Sequence, residues 1–264
     1  MIKKQTIKEI KEALKTITKE TDYIKRLRED ERAGVQTALK QWDRKQLKMK
    51  ELENAYIYRH QYEKYYLDRG FQYIAGVDEV GRGPLAGPVV CAAVILNPND
   101  PIIGLNDSKA LSEKKRLKLY NEIYDKAIAV SVAQATPEQI DSLNIYQATR
   151  RAMKEAVMNL SPAADCILAD AMTLDIDITQ ESIVKGDSQS NSIAAASIIA
   201  KVIRDNLMRD YAKEYPQYDF ENNVGYGTKK HLEGLEQVGP CPIHRKSFEP
   251  VKSMIGESLN LFDY

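Results

Sequence analysis

No apolar run in this 264-residue sequence approaches the roughly 20 residues that a membrane-spanning helix needs. The amino terminus, Met1-Ile2-Lys3-Lys4-Gln5-Thr6, has lysines but lacks the apolar stretch of a secretory signal, so export is not expected. Cysteine is scarce: Cys91, Cys166 and Cys241 are odd in number and far apart, which argues against a disulfide framework and against a zinc site. Cys91 and Cys166 fall in apolar, strand-like runs, as buried thiols of a cytoplasmic protein would. Histidine occurs only at 60, 231 and 244, away from every acidic motif, so no histidine base is expected. There is no Ser/Gly-rich linker and no net charge.

The zero balance hides an asymmetry. Residues 1–70 carry 18 basic and 12 acidic side chains, which leaves 20 and 26 for the rest. A basic appendage on an acidic body suits contact with a polyanion, although a solvated helical extension has the same composition. Ile7, Ile10, Leu14 and Ile17 share a helical face, and Val35, Leu39, Trp42, Met49, Leu52 and Tyr56 mark a longer helical stretch. Asp68-Arg69-Gly70 closes it, with Gly70 as the stop. The tyrosines from Tyr56 to Tyr66 are expected to pack the helix onto its domain rather than to stack on bases.

Beyond Gly70 the pattern is mixed. Strands are expected over Phe71–Asp78, Pro88–Leu96, Ala127–Gln134 and Cys166–Asp170. Helices are expected over Ser112–Lys126, from the Thr136-Pro137-Glu138-Gln139 capping signal, over Ile145–Leu160, and from Gln189 to about Tyr215. An initial hairpin followed by strand–helix alternation implies an α/β sheet flanked by helices.

The most informative residues are Asp78 and Glu79, side by side at the end of an apolar run and followed by Gly81-Arg82-Gly83-Pro84. Like charges so close raise each other's pKa, and a hard divalent cation relieves them. Taken alone, a solvated acidic strand end is the commoner origin of such a pair. The glycines do not form a dinucleotide fingerprint, because their spacing differs and a strand, not a helix, follows. Cys166-Ile167-Leu168-Ala169-Asp170 repeats the logic, and Lys185-Gly186-Asp187-Ser188 precedes a small-residue helix able to lie close to a sheet. Four acids at successive element ends can converge at one sheet edge.

The run Tyr73–Val90 resembles the first motif of type 2 ribonuclease H, the ribonuclease HII branch, and the resemblance extends to about Pro250. It implies a ribonuclease H-like mixed sheet over 71–264, ending in a helical segment, with residues 1–70 as a helical extension outside it. It also implies that Asp78, Glu79, Asp170 and Asp187 are the metal-binding and catalytic carboxylates, holding two ions of Mg²⁺ or Mn²⁺, with Asp78 as the bridge. Asn106, Ser108, Lys109, Lys185 and Ser188 match positions that contact phosphate oxygens. Backbone groups of Gly81, Arg82 and Gly83 match the readers of a 2′-OH, and Tyr226 matches a tyrosine that stacks on the sugar at an RNA–DNA junction. Asp175 and Asp177 match nothing and read as loop acids; His244-Arg245-Lys246-Ser247-Phe248 reads as structural. The implied activity is hydrolysis of the RNA strand of RNA–DNA hybrids, and nicking 5′ to single ribonucleotides in duplex DNA, leaving 3′-OH and 5′-phosphate ends. No obligate protein partner is evident. Two rivals are a ribonuclease HIII, against which Arg82 and Asp187 speak, and an inactive nucleic-acid-binding relative, against which the intact acid set speaks.

Overall fold

The computed structural model describes residues 5–260, with side chains to residue 256. The chain divides into two compact units, Met1–Ile57 and Tyr58–Tyr264.

The first unit contains α1 (Ile7–Thr16), α2 (Asp22–Arg28) and most of α3 (Ala33–Arg59). Thr6 and Glu9 form a capping box at the start of α1. Ile10, Leu14, Ile24, Leu27, Val35, Ala38, Leu39 and Trp42 make its core. The expected helical faces are thus partly buried: Ile7 and Met49 stay exposed. The Trp42 indole donates to the Ile17 carbonyl at 2.8 Å, satisfying one carbonyl at the α1 terminus.

The second unit begins with the end of α3 and with α4 (Gln61–Leu67), which stops at Gly70 with φ +94°. Next come β1 (Ile74–Val80), β2 (Val89–Ile95), α5 (Glu113–Lys126), β3 (Ala129–Ala135), α6 (Pro137–Leu143), α7 (Ile145–Met158), β4 (Cys166–Asp170) and β5 (Thr179–Ile183). The chain then runs through α8 (Asn191–Glu214), α9 (Phe220–Asn223), α10 (Lys229–Val238) and α11 (Val251–Asn260). The five-stranded sheet has the order β3-β2-β1-β4-β5, antiparallel across β3-β2-β1 and parallel across β1-β4-β5. Thr136 and Gln139 form the expected capping box ahead of α6. Edge strand β5 was not anticipated, because of its five residues only Ile183 is buried.

Alternation along the strands divides the core into two layers. Ala75, Val77, Cys91 and Ala93 pack with Ala152, Met153 and Ala156 of α7. Val90, Ala92 and Val94 pack with α5 and the small residues of α8. Helix α8 lies so close to β1 that a Cβ on Gly76 would fall 2.0 Å from the Ser192 carbonyl carbon. Only glycine permits that approach.

Candidate active site

Strand β1 runs past the acid pair to Val80, so Asp78 and Glu79 lie within the ladder, opposite Ala92 and Cys91 of β2. Consecutive strand residues face opposite ways. Asp78 shares the α8 face with Gly76, while Glu79 follows Ala75 and Val77 toward α7. The parallel β1–β4 register pairs Val77 with Ala169, so the next step sets Asp78 beside Asp170 on neighbouring strands. The Asp170 Oδ1 accepts from the Gly186 amide at 2.7 Å, which ties the β4 end to the 3₁₀ turn Gly186–Ser188 bearing Asp187. Asp187 therefore sits one turn before α8, whose N-cap is Ser190. The residue after Asp170, Ala171, has φ +46°, a strained conformation at the mouth of the cluster.

The acids share one electrostatic environment. Asp78 is 5% exposed, and burial, then the charges of Glu79 and Asp170, hold its pKa well above the ordinary value, against a hydrogen bond from Ser197. Glu79 is raised by burial and by Asp170, while Arg82 pulls it down through a 3.4 Å contact. Asp187 is raised by burial, then by Asp107 and Asp170, with Lys109 opposing. Among the described residues, no three such side chains already close on one point as metal ligands. The donor set nonetheless fits a hard cation: the Glu79 Oε2 is buried without a hydrogen-bond partner, a costly state for a carboxylate oxygen that a cation would relieve. Asp175 and Asp177 are exposed.

The other expected residues fall into two groups. Lys109 and Lys185 are exposed, and Asn106 accepts from the Arg59 guanidinium at 2.8 Å. Ser108 is buried, its hydroxyl 2.9 Å from that of Ser197, so it reaches Asp78 through Ser197 rather than facing solvent. The Ser188 hydroxyl donates to the Lys185 carbonyl, closing the Asp187 turn. On the other side, Arg82, Gly83 and Tyr226 are exposed, and a Cβ added to Gly83 would sit 3.5 Å from the Tyr226 ring. The structure thus brings the Gly81–Gly83 loop and Tyr226 together.

Two buried arginines build that junction: Arg245 lies in the segment read as structural, whereas Arg204 was not anticipated. Arg245 donates to the carbonyls of Gly81, Arg82 and Gly87; Arg204 donates to those of Ala86, Pro88 and Val224. Burial, and then the charge of Arg204, pushes Arg245 down to about 9, still a cation at neutral pH. Each guanidinium satisfies carbonyls that no strand or helix pairs, and so fixes both loops. A buried imidazole chain ends at the same place. The Cys241 amide donates to His244 Nδ1 at 2.9 Å; His244 Nε2 meets His231 Nε2 at 2.9 Å; and His231 Nδ1 meets the Tyr226 carbonyl at 2.9 Å. Only one assignment satisfies every pair: both rings neutral, with His231 donating to Tyr226 and His244 donating to His231.

Comparison with known proteins supplies the family. The family model described as Ribonuclease HII matches residues 75–251, and the one described as Ribonuclease HII N-terminal domain matches residues 6–67. A ribonuclease HII of Enterococcus faecalis is 54% identical over 253 residues, covering 96% of this chain and 99% of that protein. The ribonuclease H2 crystal structure from Pyrococcus horikoshii is 26% identical, with TM-score 0.61 over 70% of this chain and 98% of that one. A Bst ribonuclease HIII crystallised with Mn²⁺ shares the fold at 18% identity and TM-score 0.51, over 71% and 70% of the two chains. With matches running through both the extension and the sheet that carries the acids, this chain belongs to the ribonuclease HII family and is a ribonuclease H-type endonuclease.

Proposed function

We propose that Asp78, Glu79, Asp170 and Asp187 hold two divalent ions, Mg²⁺ or Mn²⁺, and that the enzyme both cleaves the RNA strand of hybrids and nicks 5′ to a lone ribonucleotide in duplex DNA. The observation that carries the metal reading is the buried, unpartnered Glu79 Oε2, on a carboxyl whose pKa is raised together with those of Asp78 and Asp187. When bound, such ions activate the attacking water and stabilise the departing 3′ oxygen, which yields 3′-OH and 5′-phosphate ends. The chain's own residues do the rest. Lys109 and Lys185 offer ammonium groups to phosphates beside the acids. Tyr226, 47% exposed, presents its ring next to Gly83, where a sugar can lie against both. The carbonyls of Gly81 and Arg82 are committed to Arg245, which favours the N–H side of this loop as the reader of the 2′-OH. Three free thiols suit a cytoplasmic enzyme, and among the described residues no helix is long and apolar enough to cross a membrane.

The test is a pair of substrates: a duplex with one embedded ribonucleotide, and a hybrid with an all-RNA strand. With Mg²⁺ or Mn²⁺ both should be cut, the first at one position, with 5′-phosphate ends. Cleavage of the hybrid alone would remove the junction reading. Undiminished cleavage in excess chelator would remove the metal reading.

A further inference from the structure

The end of α3 and helix α4 lie outside the sheet, yet their polar side chains converge on the turn that carries Asp187. That turn lies between β5, ending at Ile183, and α8, starting at Asn191. It is gripped on both flanks. The Tyr66 hydroxyl donates to the Glu181 carboxylate of β5 at 2.9 Å. The Arg59 Nε donates to the Ser188 carbonyl at 3.2 Å, and its Nη2 donates to Asn106 Oδ1 at 2.8 Å. Glu63, 5% exposed, accepts at one oxygen from the Ser190 hydroxyl at 2.6 Å, the Ser192 amide at 2.8 Å and the Ser192 hydroxyl at 2.7 Å.

Packing alone does not account for these contacts. Tyr62, Tyr66 and Leu67 already provide the apolar seam of α4 against Ile74, Cys166, Leu168 and Ile193. Helix α8 already has its own cap, since the Ser190 hydroxyl accepts from the Ile193 amide. Burying Glu63 as well carries a desolvation cost, which three hydrogen bonds to one oxygen and the helix dipole offset only in part, since its Oε2 is buried without a hydrogen-bond partner. What the carboxylate adds is a fixed position for the first turn of α8, and hence for Asp187 one turn earlier. Arg59 likewise spans two loops that carry residues of the site, joining the Asp187-Ser188 turn to Asn106.

We infer that Arg59 and Glu63 are positioning residues of the active site: they hold the Asp187 turn and Asn106 at the spacing the metal and the scissile phosphate require. The inference rests on Asp187 being a metal ligand. Residues that orient ligands from behind typically change metal affinity or activity by roughly 10–100-fold when removed. Arg59→Met keeps the aliphatic stem and removes the bonds to Ser188 and Asn106; Glu63→Leu keeps the volume and removes the acceptor. Glu63→Gln retains an acceptor oxygen and should behave close to wild type.

The experiment measures Mn²⁺ binding by calorimetry without substrate, amide exchange over residues 186–193 in the metal-free protein, and kcat and KM on a hybrid. Arg59→Met and Glu63→Leu should each weaken Mn²⁺ binding by about tenfold, speed exchange across the turn and lower kcat, with KM little changed. Glu63→Gln should restore the wild-type values. If Glu63→Leu does not fold, Arg59→Met alone decides. Wild-type metal affinity and exchange in Arg59→Met would overturn the inference, as would an equal loss in Glu63→Gln and Glu63→Leu. Asp187→Asn is the control for the underlying reading. If it binds Mn²⁺ and cleaves normally, the ligand assignment itself is wrong. If it is inactive while Arg59→Met is normal, only the positioning role fails.

Discussion

Acidification should weaken this protein through one buried pair, and the size of the loss follows from where that pair lies. His231 and His244 are essentially inaccessible and lie edge-on or tilted against the rings of Tyr218 and Phe220. Burial, and then the neighbouring His231, drives His244 from 6.5 down to about 4, and burial lowers His231 as well. The Cys241 thiol beside them is pushed up to about 11 by burial and stays neutral. A histidine whose folded pKa is depressed contributes stability that is whole above its unfolded value and lost as pH falls through the folded one. For His244 that window runs from about pH 6.5 to about pH 4. At about 1.4 kcal/mol for each pH unit, the full loss is about 3 kcal/mol. Structurally, a proton on His244 Nδ1 removes the acceptor for the Cys241 amide, and one on His231 Nε2 removes the acceptor for His244; either breaks the chain that ends on the Tyr226 carbonyl. Asp78, Glu79 and Asp187 have raised pKa values and so act in the opposite sense, their share of stability being lost as pH rises. Urea unfolding followed by far-UV circular dichroism, at half-unit steps from pH 7.5 to 4, should therefore compare wild type with His244→Asn. The carboxylate contribution is common to both proteins and cancels in the difference. The gap between the two curves should narrow by about 3 kcal/mol on acidification. Parallel curves would refute the neutral-pair reasoning.

Other outcomes follow from the same geometry. Asp78→Asn should cut turnover at least ~10²-fold with substrate binding kept, and should raise the metal-free melting temperature by removing a buried like charge; near-wild-type turnover in saturating Mg²⁺ would sink the metal assignment. Gly83→Ala meets only the Tyr226 ring, at an ordinary 3.5 Å, so it should fold normally yet obstruct the junction. Gly83→Ala and Tyr226→Ala should both lower kcat/KM on a single embedded ribonucleotide more than on a long hybrid; equal losses on the two would remove the junction role. Deleting residues 1–57 should leave a metal-dependent nuclease whose affinity falls less steeply with salt, since fewer counterions are released; an unchanged salt slope would assign that unit to another task.

Asp78, Glu79 and Asp170 were legible because they stand at the end of apolar runs, a place where packing gives no reason for a charge, and Asp187 because it precedes the small-residue start of α8. Their directions were not: whether Asp78 and Glu79 lie side by side or on opposite faces depends on the ladder continuing to Val80, which β2 decides. Strand β5 was hidden because an edge strand needs only one buried side chain. Arg204 looks like an ordinary surface cation in the sequence, and although the segment around Arg245 reads as structural, the partners of both arginines are carbonyls, which have no letter code. A signal for Arg204 did exist: Ala196, Ala200, Arg204 and Met208 recur every four residues, and all are buried. Glu63 gave no such sign, since its acceptor role depends on where α8 begins.

The central position of β1 has a consequence during synthesis. Its partner on one side, β2, follows within a short loop, but on the other side Ile74 must wait for Cys166, roughly 90 residues later. At about 5–20 residues per second, β1 is exposed along its acid-bearing edge for about 5–20 s on the ribosome. The β1-β2-β3 meander can form meanwhile, from local contacts. The candidate site cannot, because Asp170 and Asp187 have not yet been made. Through that interval Asp78 and Glu79 are the only charges on an otherwise apolar strand, and charge on an open edge discourages pairing with another chain.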